Sequence, residues 1–401
     1  MAKKDKKQQH HRRNGYESDD TNVSVAGSIA SNDTERTIGD VEDNDEQSME
    51  DCLHEQIDTL TEKRTTTRVT ALKKIVDLLS HYVPTEIFHD NYDTLQSNAL
   101  HLLRRPSSNE GVLGVHVLAL IALMLGENED SFYKQIKGPL QLLVKNEGQP
   151  EEVRAKALEV LGTTCFVCSG DQDNTLEILQ FCEALFGDAS NAVTTAALDT
   201  WGLLASTLPN ASLVEDDFLA TQLEIFMQLL DHADVEVRSA AGENIALLFE
   251  AIAAAHVYYD RDEIAHRLLA LSKDSSKKTS KRDRKEQRTV FRDVYKTVAD
   301  DVAPSITFTF QNEVLRLQDW STLKQYNILK KWLHSGFQEH LKYNNVVRNI
   351  LGLPLTTDEY TRVEKRDTLS KNSDARKAQS GMLREQRTRR QNQKNLFLAD
   401  Y

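Results

Sequence analysis

Five cations, Lys281, Lys285, Arg288, Arg292 and Lys296, follow one another at spacings of 4, 3, 4 and 4 residues, which on a helix gathers them along one narrow arc. Such a row suits a polyanion, because Lys and Arg release counterions from nucleic acid phosphates whatever the base sequence. A second set, Arg376, Lys377, Arg384, Arg387, Arg389, Arg390 and Lys394, lies in residues 372 to 395, a run of helix formers with basic side chains around the whole circumference. With no apolar stripe, that segment has little reason to pack on its own protein, so a partner must order it. As a helix it would be roughly 36 Å long. These two sets are the candidate RNA-binding residues. No zinc-finger spacing and no aromatic sheet motif of RNA-recognition domains accompanies them, so a shaped RNA surface is expected rather than a DNA site.

Catalytic chemistry is not expected. The sequence has no G-x-S-x-G, no H-E-x-x-H, no P-loop and no dinucleotide fingerprint, so neither enzymatic activity, a cofactor nor a small-molecule substrate is indicated. Cys165 and Cys168 form a lone C-x-x-C without a second pair or a histidine cluster, and read as packed small hydrophobes. His334 and His340 flank Glu339, but a six-residue spacing across Gly336 does not place them on one helix face as metal ligands. Four cysteines are too few and too oddly placed for a disulfide framework, which points to a reducing compartment, cytosol or nucleus.

The formal net charge of -13 is an average of opposites. Residues 17 to 62 hold fifteen Asp or Glu and one Arg, giving -14; residues 273 to 296 hold ten cations against four acids, giving +6; residues 362 to 394 hold eleven against four, giving +7. Screening confines each field to about 8 Å at physiological salt, so the local sign matters more than the total. Met1 to Arg13 is basic with no apolar stretch behind it, unlike a secretory signal. No uninterrupted apolar run of eighteen residues occurs, so no membrane span is expected.

The elements that would position the cations are repeats. Val153 to Gly162, Val193 to Gly202 and Val237 to Ala246 are three copies of one helical phrase, starting 40 and then 44 residues apart. That period belongs to stacked helix pairs of the HEAT or armadillo type, each too small to bury its own apolar face. Arg68 to Val76 resembles the phrase, and a further unit around Val112 to Leu125 makes five over residues 51 to 272. Ala157, Ala197 and Ala241 fall at one place in each phrase, where a small side chain lets helices approach. Pro84, Pro106, Gly126, Gly138-Pro139, Pro150, Gly170, Gly187 and Pro209 mark helix ends. Asp231 and Asp234 are candidate caps for the fifth unit.

Flanking regions read differently. Residues 1 to 50, basic then acidic, are expected to be disordered; Ser18, ahead of Asp19-Asp20, is a candidate phosphorylation site. Residues 273 to 303 are expected to form a basic linking helix, over 280 to 302, with Val290, Phe291, Val294, Tyr295, Val298 and Val302 on its apolar face. Within 304 to 355, Ile306 to Phe310 alternates with period two before a turn at Gln311-Asn312-Glu313 and a partner strand Val314 to Leu317, a hairpin that must lie on two helices, about 319 to 335 and 336 to 351. Together these form a small α+β cap closing an all-α solenoid, followed by the disordered or helical basic tail, residues 356 to 401.

Two phrases carry a family resemblance. Ala240 to Glu250 with Lys285-Glu286-Gln287-Arg288-Thr289-Val290-Phe291-Arg292-Asp293-Val294, and the closing pattern Ser335 to Leu341 with Arg348-Asn349-Ile350, resemble the interferon-related developmental regulator family. The resemblance covers about residues 50 to 355, and more loosely the tail. It implies a non-enzymatic regulator with an armadillo-like domain, from a family connected both with translationally inactive ribosomes, where a C-terminal helix enters the space of messenger and transfer RNA, and with transcriptional co-regulation. The expectation is binding of idle ribosomes through ribosomal RNA. The alternative is a nuclear scaffold whose solenoid groove holds peptides of transcriptional regulators.

Overall fold

The computed structural model describes residues 49–356, apart from 105–106, 128, 274–279 and 311–312. Helices come in pairs: α1 (Met49–Thr59) with α2 (Thr65–Ser80), α3 (Thr85–Leu102) with α4 (Ser108–Leu125), α5 (Asp130–Lys145) with α6 (Glu151–Cys168), and α7 (Gln172–Glu183) with α8 (Asn191–Ala205). A short α9 (Asn210–Leu213) precedes α10 (Asp216–Leu229) with α11 (Val235–Ala255), and α12 (Asp262–Ser272) pairs with α13 (Lys281–Asp300). The second member of each pair packs on that of the next, so α2, α4, α6, α8, α11 and α13 stack as one inner layer. The helix expected as a linker is thus the inner member of a sixth pair, packed on α11 and α12. It ends at Asp300; Asp301 turns the chain with φ 54°, and Val302 is exposed rather than part of the apolar face.

The central inner helices α4, α8 and α11 are apolar over most of their circumference because neighbouring helices cover them on most sides. The helix α4 is long and apolar enough to cross a membrane by composition, and its most apolar stretch is 72% buried within the fold. Ala157, Ala197 and Ala241 are fully buried. Glycine sets the closest approaches: a Cβ on Gly162 would meet Thr200 Cγ2 at 2.3 Å, and one on Gly242 would meet Phe291 Cε1 at 2.7 Å. Three of the repeats are also stapled to the next by an arginine near the start of an inner helix. Arg68 reaches Glu110 (2.5 Å), Arg154 reaches Asp188 (2.7 Å) and the Val144 carbonyl (2.8 Å), and Arg238 reaches Gln287 (2.5 Å).

Among the described residues, helix ends follow the punctuation with one exception, and Pro106 lies outside those residues. Pro84, Pro150 and Pro209 sit at N-caps and Gly126 at a C-cap. Asp234 caps α11 by accepting from the Glu236 and Val237 amides, whereas Asp231 pairs with Arg267 instead. Gly138-Pro139 lies inside α5. Proline removes one ladder bond, and here both residues are exposed, so water can serve the freed carbonyl.

The hairpin is present: β1 (Ile306–Phe310) pairs antiparallel with β2 (Glu313–Leu317), with Phe310 opposite Glu313. Glu313 is therefore a strand residue, not a turn residue. Phe308 packs toward Tyr326 and Phe337, with ring centroids 6.3 and 6.4 Å away. The first following helix is α14 (Trp320–Leu333). The second is broken: a 3₁₀ turn (His334–Gly336) leads into α15 (Phe337–Tyr343), and Asn344 restarts the chain as α16 (Asn345–Ile350) by capping the Val346 and Val347 amides.

These elements do not close the end of the stack. They run back along its inner layer, from Glu250 on α11 at the start of α14 to Leu79 on α2 at His340. A Cβ on Gly336 would fall 1.8 Å from the Ser80 carbonyl oxygen, so only glycine allows the closest pass.

Candidate nucleic-acid interface and the filled inner groove

Helix α13 buries Val290, Phe291, Val294 and Val298 against its neighbours. Opposite that face, Lys285, Arg292 and Lys296 are exposed and Arg288 is half-buried. Lys281 begins the helix. At 1.5 Å per residue the stretch from Lys285 to Lys296 runs about 16 Å, a basic rail long enough to touch several backbone phosphates. Arg376, Lys377, Arg384, Arg387, Arg389, Arg390 and Lys394 lie outside the described residues, so only the α13 set is assembled here.

The inner face holds a second charged array that the sequence reading passed over. The seventh residue of each repeated phrase is acidic, and Glu159, Asp199 and Glu243 project from α6, α8 and α11 toward α14. Lys331 bonds Glu159 at 2.8 Å and Lys324 pairs with Glu243 at 3.3 Å. Lys156 also approaches Glu159 (3.4 Å) and places its ammonium 4.2 Å from the centre of the Trp332 ring. Burial pushes the Asp199 carboxyl up to about 6, against the pull of Lys331 and Lys324 and with the help of Glu243 and Glu159. Burial likewise lowers Lys156. The signal that could have revealed the array was the recurring acid, visible in three aligned phrases.

Around these charges the groove is packed with large side chains. Trp320 and Trp332 are almost fully buried, and each indole N–H finds a threonine: Trp320 donates to Thr297 (2.8 Å) and Trp332 to Thr163 (2.9 Å). Glu250 receives the Trp320 and Ser321 amides and so satisfies the start of α14. Two buried histidines fasten the far end. His116 contacts the Trp332 carbonyl at 2.9 Å, and His340 bridges the Leu79 carbonyl (3.0 Å) and Asn344 (3.0 Å). Desolvation holds both rings neutral, with pKa values lowered to about 4. Arg348 ties α16 to the hairpin through Glu313 (2.7 and 2.9 Å).

Among the described residues no group of three His, Cys, Asp or Glu side chains is placed to hold a metal ion. Cys165, Cys168 and Cys182 are fully buried, and burial raises each thiol. They pack as apolar groups.

The fold and these surfaces define an armadillo-like α-solenoid, an architecture that presents an extended surface rather than a reaction cavity. Residues 22–299 match the interferon-related developmental regulator family, and the chain belongs to it. Mouse interferon-related developmental regulator 2 is 30% identical over 349 residues, covering 81% of this chain and 78% of its own length. Pig interferon-related developmental regulator 1 is 26% identical over 341 residues, covering 80% and 75%. Among solved structures, a designed armadillo repeat protein aligns with 61% of this chain and 99% of its own at 18% identity and a TM-score of 0.37.

Proposed function

We propose that this protein is a non-enzymatic regulator that binds translationally inactive ribosomes, its basic C-terminal elements contacting ribosomal RNA and occupying the space of messenger and transfer RNA. The observation that carries this reading is the row of exposed cations on α13, a helix whose opposite face is locked into the solenoid. A charge row on a rigid support loses little entropy on meeting phosphates, and its binding must weaken with salt. The basic arm of residues 372 to 395 extends the same chemistry. The protein would then act in the cytoplasm, where ribosomes work, with a nuclear pool compatible with its reduced cysteines.

The filled groove weighs against the scaffold alternative. A peptide of a transcriptional regulator would have to displace Trp332 and the Lys324 and Lys331 ion pairs before docking. Cosedimentation of the full chain with idle ribosomes in moderate salt tests the proposal. Binding is expected to be sensitive to RNase and to fall when Lys285, Arg292 and Lys296 are all changed to Glu. Undiminished sedimentation of that variant, with residues 372–401 also deleted, would overturn it.

A further inference from the structure

At the opposite end from α13, a cleft of about 630 Å³ opens between the α1–α2 turn, the end of α3 and the start of α4. Leu60 and Leu102 give it an apolar wall, and Thr61 and Asn98 add neutral hydrogen-bonding groups. Its cations, Lys63, Arg68 and Arg104, outnumber its acids, Glu62 and Glu110, by one. Lys63, His101 and Arg104 are exposed around it, and no carboxylate is bonded to any of the three among the described residues.

Two acids also line the cleft, and they differ in kind. Glu110 is nearly buried and is consumed by Arg68 at 2.5 Å, while Glu62 is exposed at the mouth. Arg68 additionally donates to the carbonyls of Glu62 and Lys63, both at 2.8 Å, so the rim that carries Lys63 is held in place. Helix α2 starts at Thr65, just past that rim, and its N-cap Arg64 offers the first turn no side-chain acceptor.

We infer that this cleft binds a phosphorylated acidic peptide, with the phosphate held by Lys63, Arg104 and His101 and the flanking chain laid along Leu60, Leu102, Thr61 and Asn98. A phosphate carries close to two charges and three strong acceptors, which matches three exposed donors around one opening. The cleft is far larger than a bare phosphate needs. Among the described residues none of its lining side chains is Phe, Tyr or Trp, on which a nucleobase could stack, which favours a peptide over a nucleotide. The sequence Glu17-Ser18-Asp19-Asp20 of this same chain has the required chemistry when phosphorylated.

The inference is independent of ribosome binding, and its test uses a different probe. Fluorescein-labelled peptide of residues 14–24, with and without phosphate on Ser18, is titrated into the full-length unphosphorylated chain and followed by anisotropy. The phosphopeptide is expected to bind at least about tenfold more tightly than its unmodified twin. Lys63→Glu with Arg104→Glu should erase that preference without shifting the thermal midpoint, since both side chains are exposed. The triple Glu variant of α13 should bind the phosphopeptide as the parent does. Equal affinity for the two peptides, indifference to the cleft substitutions, or loss of binding in the α13 variant would each overturn the assignment. Displacement of the phosphopeptide by inorganic phosphate as readily as by unlabelled phosphopeptide would also overturn it, by reducing the cleft to a bare anion site.

Discussion

Lysines do opposite work on two faces of this molecule. Lys324 and Lys331 leave α14 seven residues apart, enter the groove and meet Glu243 and Glu159. Lys285 and Lys296 stand eleven residues apart on α13 and point to water. Both pairs sit on amphipathic helices, and composition does not tell them apart. The difference is what faces them: an acid ladder with two tryptophans in one case, solvent in the other. Burial makes the groove charges structural, because an unpaired charge there carries a desolvation cost. Exposure lets Lys285 and Lys296 meet a polyanion at small cost to the fold.

The comparison breaks most easily at Trp332. Trp332→Ala should cost about 3 to 5 kcal/mol by chemical denaturation, because it empties a fully buried site and removes the donor that the Thr163 hydroxyl accepts from. Lys296→Ala should stay within about 0.5 kcal/mol of the parent. Should the two variants unfold at the same denaturant concentration, the groove contacts are not what holds the C-terminal elements.

Arg154→Ala should be nearly as damaging, about 3 to 5 kcal/mol, since it leaves Asp188 and the Val144 carbonyl without their buried partner. Equilibrium unfolding of the single variant gives the value directly, and a double-mutant cycle with Asp188→Asn separates the pair from the carbonyl bond.

Acid should reach the groove before it reaches the rail. His116 and His340 are held neutral with pKa values near 4 against 6.5 in the unfolded chain, so the unfolded state binds more protons between those values. Their contribution is complete above pH 6.5 and is lost as pH falls toward 4, up to about 3 kcal/mol for each ring. Unfolding free energy measured across that window should fall steeply, and His340→Gln should flatten part of the fall. A flat profile would mean that the rings are not desolvated.

Asp199 should give the smallest effect and the opposite sign. Its pKa is raised to about 6 from 3.8, so its contribution is present below pH 3.8 and lost as pH rises through 6. Asp199→Asn should therefore gain stability at pH 7, with about 3 kcal/mol as the ceiling set by that shift and a smaller gain expected because the side chain keeps some contact with solvent. Destabilisation instead would show that the charge of Asp199 is needed to hold Lys324 and Lys331.

Much of this architecture could be read from residue order. Three phrases 40 and 44 residues apart fixed the stacked pairs, and Asp234 fixed where α11 begins. The alternation from Ile306 and the two-faced pattern from Lys281 gave the hairpin and α13, because a period depends only on neighbours along the chain. The break at Asn344 was not legible, since its amide caps α16 while reaching the Leu123 carbonyl, 221 residues away in sequence. The acid ladder was not legible because the cations that meet it come from another part of the chain. The cleft beside Arg68 was hidden for the same reason, its walls being contributed by three separate helix ends.

Sequence by itself determined that the chain stacks helices, that a hairpin and further helices follow, and that cations recur along α13; periodicity and charge are local properties. Only tertiary structure decided that the C-terminal elements turn back to fill the inner layer, which buries Lys324, sets Lys331 against Glu159 and leaves Lys285, Arg292 and Lys296 outside. That choice depends on the shape match of Trp320, Trp332 and Gly336 to surfaces built by distant repeats, and no pattern of near neighbours encodes it.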